Sequence, residues 1–503
     1  MFAVVLLTLV LPRAVSRAAA TQPASPPNIL LIIADDLGYG DCSAYPTHAA
    51  DISTPNIDRI AARGVRFSAG YVTAPVCSPS RTGLISGRYQ QRFDKAAGWR
   101  TTLPKSAVTI AEHLHTSGYA TMMIGKNDFG HLLGSKDDRR YPLNHGYDRH
   151  LGFEAHAHDY FLMTRDIEQR ALEPHGESPN IGPLDFDRGT KDFARGYTTD
   201  IFTDAGIQFA RDNAGKRPFF LVMAYNAVHD LVEQAPRRYL DRYHVSPIPP
   251  YEPSMGSYKD YYNTYNRLGK VNEADMRRFY LANLACLDDN VGRLLDALGL
   301  LHVAENTMIV FMSDNGGAPA TGGNNQPLRA SKYSTYEGGL RVPLLMSWPA
   351  GFAAGVVDEP VSSLDLLPTF IAAAGVQPSG ATLDGMDLLP RLKSAAPPGQ
   401  VAERVLYWKF QKQWAVRRGE WKLVRSNQPQ GGAGGVASWI KDGPRARGME
   451  PQLFNLKEDL AEQHDVIAEH KDVAAELKAL YDRWESAHGE LWEPGQPDTA
   501  DAP

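Results

Sequence analysis

Four short apolar runs stand out along the chain, and each ends in polar or charged side chains. "NILLII" leads into Ala34-Asp35-Asp36, "YATMMI" into Gly125-Lys126-Asn127-Asp128, "PFFLVMAY" into Asn226-Ala227-Val228-His229, and "TMIVFM" into Ser313-Asp314-Asn315-Gly316-Gly317. Short continuous runs of this kind read as buried parallel strands. Between them "TPNIDRIAARG", "TIAEHLHTSG" and "DIFTDAGIQFARDN" carry helical patterns, with glycine near several of the ends. "RVPLLMSWP" adds a strand and "SLDLLPTFIAAAG" a helix. The pattern predicts an α/β fold with a large, mostly parallel sheet flanked by helices. Ligands bind beyond the carboxyl ends of such strands, so the four endings are expected to converge on one rim. One Asp or Gly-Gly after a strand is more simply a cap or a turn. Four endings of the same kind are harder to explain that way.

After "RLKSAAPPGQVAE" the texture changes. "RVLYWKF", "QWAVRRG" and "EWKLVRS" alternate like antiparallel strands, "QLFNLKEDLAEQHDV" reads as a turn, and "KDVAAELKALYDRWESAH" as a long amphipathic helix. A small C-terminal α+β domain is expected over residues 400–490, with a flexible tail at 491–503. At the other end, "MFAVVLLTLVL" followed by "PRAVSRAAA" predicts a signal peptide over residues 1–20. The run is shorter than the roughly 20 apolar residues of a spanning helix, and no later segment reads as one. The mature protein is therefore expected to lack a transmembrane span and to be periplasmic or secreted. The basic flank that usually precedes such a run is missing, which leaves a short anchor as the alternative.

The 503 residues are enough for a large core, and 22% charged with 43% hydrophobic residues is an ordinary globular mixture. A net charge of −6 and the lack of any basic run exclude nucleic acid as a partner. Three cysteines, Cys42, Cys77 and Cys286, do not make a disulfide scaffold. Cys286 reads as a small apolar residue on a helix face, and Cys42 sits in a polar loop.

The strand endings supply the chemistry. Asp35, Asp36, Asp314 and Asn315 offer only oxygen ligands, which favour a hard cation, Ca²⁺ or Mg²⁺. Arg81, Lys126, Lys332 and His229 supply positive charge for an anion, although Lys332 alone would read as a surface lysine. Cys77 opens "CSPSRTGLISGR", where Pro79 suits the first turn of a helix whose N–H groups would face the thiol. The helix terminus and Arg81 are expected to favour its thiolate. A divalent metal, several fixed cations and a candidate nucleophile suit transfer of a sulfuryl or phosphoryl group.

Cys77-Ser78-Pro79-Ser80-Arg81, with "GLISGR" after it, resembles the signature of type I sulfatases of the alkaline phosphatase superfamily. The motif order "ADDLGYGD", "SDNGG", "YEGGLRVP" is similar to theirs, and the resemblance covers roughly residues 27 to 490. It implies a catalytic domain over 27–395 and conversion of Cys77 to formylglycine by a maturation enzyme, the hydrated aldehyde being the nucleophile. It implies calcium held by Asp35, Asp36, Asp314, Asn315 and residue 77. Arg81 would support the formylglycine, Lys126 and Lys332 would grip the sulfate, and His229 would stand beside the leaving oxygen. The family usually carries histidine where this chain has Asp128, in "GKNDFG". Asp128 is expected to pair with Lys126 or Arg81 and to act as the base. The alternative is that His131, in "DFGHLLG", supplies the imidazole.

Sulfate-ester hydrolysis on a sulfated carbohydrate or an aryl sulfate is thus the expected function. Phosphate or phosphonate ester hydrolysis and non-catalytic binding of a sulfated sugar are the alternatives. The Pro- and Tyr-rich stretch "PIPPYEPSMGSYKDYYNTYNR" is either a wall on which a sugar stacks or a loop packed on its own rings.

Overall fold

The computed structural model describes residues 25–93, 103–104, 107–129, 141–154, 156–162, 184–191, 193, 196–265, 272–380, 382–393, 404–426 and 450–488. The expected signal peptide (1–20), the tail (491–503) and His131 lie outside these residues.

The apolar runs form the centre of a ten-stranded sheet. We label β1 (Asn28–Ala34), β2 (Ala120–Lys126), β3 (Arg149–Phe153), β4 (Phe219–Ala224), β5 (Thr307–Ser313) and β6 (Leu344–Ser347). Their order is β6-β5-β1-β4-β2-β3, with the short strands Val65–Phe67 and Gly355–Val357 beyond β6, and Leu184–Phe186 and Gly189–Lys191 beyond β3. Strands β5, β1, β4, β2 and β3 run parallel, and β6 joins antiparallel to β5.

Continuous apolar sequence is what a sheet covered on both faces requires. Leu30 and Ile32 of β1 enter one core layer with Phe202, Phe209 and Leu287 from helices Thr198–Asn213 and Glu273–Leu300. Ile29, Leu31 and Ile33 enter the opposite layer with Ile110, Leu114 and Phe370 from helices Ile110–Thr116 and Leu366–Ala373. Cys286 is buried in the first layer, as a helix-face residue should be. Cys42 lies in a loop, as expected, and its side chain is fully buried there.

A second, antiparallel sheet follows, of β7 (Val405–Phe410), β8 (Gln413–Arg418), β9 (Trp421–Arg425) and β10 (Gln452–Asn455). Strand β10 falls in the stretch that reads as a turn. Its four residues are too few to show a period, but β9 supplies a paired edge. Helix Lys471–His488 covers one face, where Leu477, Tyr481 and Trp484 meet Trp414, Val416 and Leu453. On the other face, Leu406, Trp408 and Phe454 share a core with Tyr71, Tyr336 and Leu340. No helix among the described residues is long and apolar enough to cross a membrane. In the Tyr-rich stretch, Tyr251, Tyr258 and Tyr261 are buried against one another, at ring distances of 5.4 to 5.8 Å. These three rings pack internally and are not an open wall.

A buried ion cluster ties the second sheet to the short helix Glu337–Leu340 that precedes β6. Lys422 Nζ of β9 lies 2.8 Å from Glu337 Oε1 and 3.0 Å from Glu462 Oε1, all three side chains being fully buried. Burial would raise Glu337, but Lys422, Arg341 and Arg417 hold it at about 2; burial and Glu337 raise Glu462 to about 7. Removing the lysine strands two carboxyl groups in the interior. Lys422→Met should therefore lower the unfolding free energy by about 3–5 kcal/mol in a denaturant titration. Adding Glu462→Gln to it should recover part of the loss.

Candidate active site

The parallel register brings the strand endings side by side. Ala34 pairs with Ser313, so Asp35-Asp36 and Asp314-Asn315 leave the sheet together. The pairing of Gly125 with Ala224 sets Lys126 next to the chain that runs on to His229. Gly125 has φ +101°, and a Cβ there would fall 1.9 Å from Ala224 O. Glycine alone permits this approach, and the approach aims Lys126 into the site. Asp36 and Asp128 also adopt positive φ, 61° and 46°, which Asp tolerates better than most residues.

Helix Cys77–Ser86 begins at the same rim, with Pro79 in its first turn. Residues four apart share a helix face, so Cys77 and Arg81 point the same way. Arg81 Nε and Nη2 each lie 2.9 Å from Asp314 Oδ2, and Nη1 donates to Lys126 O at 2.7 Å. Lys126 Nζ lies 2.7 Å from Asp35 Oδ2, and Lys332 Nζ 2.7 Å from Asp36 Oδ1. The Cys77 Sγ is 3.5 Å from Asp35 Oδ1 and 3.4 Å from Lys332 Nζ. His229 Nε2 lies 3.6 Å from Asp36 Oδ2. The structure thus gathers Asp35, Asp36, Cys77, Arg81, Lys126, Asp128, His229, Asp314, Asn315 and Lys332 at one rim. Lys332, which reads as a surface lysine, is buried here.

Burial sets the electrostatics. It would depress both lysines, but Asp35 and Asp36 outweigh it and hold Lys126 and Lys332 charged, above their ordinary range. Burial and the neighbouring Asp314 push Asp35 up to about 7, while Arg81, Lys126 and Lys332 hold Asp314 low against its own burial. Burial also pushes the Cys77 thiol well up, against the pull of Lys126 and Lys332. This corrects the expectation of a thiolate: an unmodified Cys77 is a protonated, enclosed thiol, because desolvation outweighs the helix terminus and the cations.

Asp35, Asp36, Cys77 and His229 place ligand atoms within 4.8 Å of one another, as a metal site requires. Asn315 Nδ2 donates to Asp36 Oδ1 at 2.7 Å, while its buried Oδ1 has no hydrogen-bond partner. An amide flip would turn that oxygen toward the carboxylates, where a hard cation would use it. Counted with every carboxyl group ionised, as a bound cation would require, four carboxylates (Asp35, Asp36, Asp128, Asp314) face three fixed cations (Arg81, Lys126, Lys332) in the site. One divalent ion would convert that negative excess into a positive one, which a singly charged anion matches.

Asp128 is fully buried, with Oδ2 3.5 Å from Lys126 Nζ and Oδ1 3.0 Å from Nδ1 of His156. Sequence reasoning missed His156. It follows β3, "RHLGF", whose polar residues do not make an apolar run, so no strand ending was visible there.

The comparisons agree on the kind of protein this is similar to. A family model described as Sulfatase matches residues 27–376. Bovine (Bos taurus) arylsulfatase A is 32% identical over 496 residues, 91% of this chain and 87% of that protein. Human (Homo sapiens) N-acetylgalactosamine-6-sulfatase is 31% identical over 414 residues, 77% of this chain and 69% of its own. The crystal structure of Ps i-CgsB in complex with k-i-k-neocarrahexaose is 30% identical with TM-score 0.74, covering 93% of this chain and 94% of that one.

A cation in the carboxylate cluster should stabilise the fold by about 2.7 kcal/mol at a hundredfold excess over its Kd. Thermal unfolding with calcium, magnesium and zinc in turn should give larger shifts with the hard ions than with zinc. Asp36→Asn should abolish the shift.

Proposed function

Because the chain belongs to the sulfatase family, and is thereby a sulfuric ester hydrolase, we propose that it cleaves sulfate esters of a carbohydrate with formylglycine at position 77 and a calcium ion. The observation that carries this reading is the charge balance at the rim. Buried carboxylates gathered around residue 77, with Arg81, Lys126 and Lys332 among them, become a receptor for one sulfate monoanion once a divalent cation is added. A phosphate monoester dianion would ask for more positive charge, and Asp128 removes some.

Asp35, Asp36, Asp314, Asn315 and residue 77 would hold the calcium, which lends Lewis-acid polarisation of the sulfate oxygens. His229, beside Asp36, is close enough to the cluster to share in the site. The remaining work belongs to the side chains. Lys126 and Lys332 hold the sulfate oxygens, and their positions relative to Cys77 are fixed by Asp35 and Asp36. Arg81 braces Asp314 and the Lys126 carbonyl, which ties the nucleophile helix to two strand ends. The hydrate of residue 77 supplies the attacking hydroxyl. His229 Nε2 gives a proton to the departing alcohol oxygen. Enclosure of the site keeps these charges strong by excluding water.

We assign catalysis to residues 27–395 and the second sheet and its helix to a unit over 400–490. Export through residues 1–20, to the periplasm or outside, suits an enzyme whose substrate is a polysaccharide. The complex of the similar Ps i-CgsB with k-i-k-neocarrahexaose supports a saccharide substrate.

Peptide mass spectrometry of protein made with a formylglycine-generating enzyme should find residue 77 converted, and Cys77→Ala should be inactive. The matured protein should turn over an aryl sulfate and sulfated saccharides in preference to an aryl phosphate. Full activity with an unmodified Cys77, or a preference for phosphate, would overturn the proposal.

A further inference from the structure

We propose that His156 is a catalytic general base of this site and that Asp128 is the residue that orients it. This step rests on the formylglycine reading above.

The placement comes from register. Strand β3 runs parallel to β2 with Phe153 opposite Lys126. Three residues beyond that pair, the chain brings His156 to the rim where Lys126 enters the site. Its Nδ1 lies 3.0 Å from Asp128 Oδ1, and Asp128 Oδ2 lies 3.5 Å from Lys126 Nζ. The His156–Asp128 contact is close, though its angles fall short of a regular hydrogen bond. Catalytic contacts are often this loose before substrate arrives.

Exposure separates the two roles. The Asp128 side chain is 0% exposed and that of His156 49%. Both Asp128 oxygens are turned inward, toward Lys126 and His156, so this carboxylate is badly placed to take a proton from a bound substrate. The half-open imidazole keeps an edge uncovered beside that carboxylate, and it is the group we assign to take the proton. Burial would raise Asp128, but Lys126, the His156 N–H that faces it and Arg81 hold it below its usual range. A carboxylate facing Nδ1 favours the tautomer with the proton on Nδ1, which leaves the Nε2 lone pair free. The other histidines near this rim have other partners: His229, assigned above to the leaving alcohol, faces Asp36 at 3.6 Å, and buried His158 has Nδ1 2.8 Å from Asp159 O.

A base is needed after sulfur transfer, when one oxygen of the residue-77 hydrate carries sulfate and the other is still a hydroxyl. His156 Nε2 takes the hydroxyl proton, and the electrons of that O–H bond form the aldehyde C=O. The C–O bond to the sulfate breaks with its electron pair, and sulfate leaves as the dianion. The imidazolium then returns its proton to water.

The test uses matured full-length protein and an aryl sulfate, with alcohol release and the mass of the residue-77 peptide both followed. His156→Ala should keep a first burst of alcohol but lower kcat by about 10²- to 10⁴-fold with little change in KM. Its residue-77 peptide should carry sulfate, and imidazole in the buffer should restore turnover. Asp128→Asn should lower kcat by a smaller factor, and imidazole should not rescue it. Unchanged kcat in His156→Ala would overturn the proposal. So would a rise in KM alone, the result expected if His156 is only an anion-binding cation, or the absence of sulfated peptide from the slowed variant. If the active wild-type protein carries an unmodified Cys77, the formylglycine reading falls and this step with it. If it carries formylglycine, a negative result falls on His156 alone.

Discussion

Carboxylates crowded at one end of a sheet repel one another, and this repulsion is the constraint around which the rim is organised. Asp35, Asp36 and Asp314 leave adjacent parallel strands in register and cannot spread apart without breaking the ladder. Three long cationic side chains come from other elements to meet them: Arg81 from a helix, Lys126 from a strand and Lys332 from a loop. Each is buried, and each would be costly alone. Their mutual placement follows from the need to neutralise, so the geometry that would grip an anion is largely the one that lets the core close.

The same constraint explains why residue 77 is a poor thiol nucleophile. Desolvation acts on it as on every group there, and an enclosed thiol resists ionisation more than an enclosed salt-bridged lysine loses its proton. A neutral aldehyde hydrate needs no ionised resting state. It fits an environment that already contains more carboxylates than fixed cations.

Much of this was legible in the sequence because the strands concerned are buried on both faces. An unbroken apolar run in "NILLII" or "TMIVFM" announces itself, and the polar residues after it are conspicuous. The same logic failed where a strand is short or half polar. β3 reads "RHLGF" and β10 "QLFN", and neither has the length or the contrast to declare a period. His156 went unseen for that reason, since nothing marked its position as a strand ending. Its nearness to Asp128 depends on the β2–β3 register, which pairs residues 27 positions apart through contacts that local sequence does not encode. The burial of Lys332 and Cys42 is not legible from their own loops, because a loop's surroundings are set by elements far away in the chain.

The Lys422–Glu337–Glu462 cluster bears on inheritance. Glu337 lies five residues after Lys332, and the lysine that neutralises it comes from the second sheet. The small sheet therefore anchors the loop that delivers an active-site cation. Across a lineage, exchange of the C-terminal segment between relatives would carry Lys422 and Glu462 together and preserve that anchor only where they met an acid at position 337. Recombination at the seam is thereby restricted, and the two sheets are expected to have descended together as one heritable unit, each recording the other's substitutions.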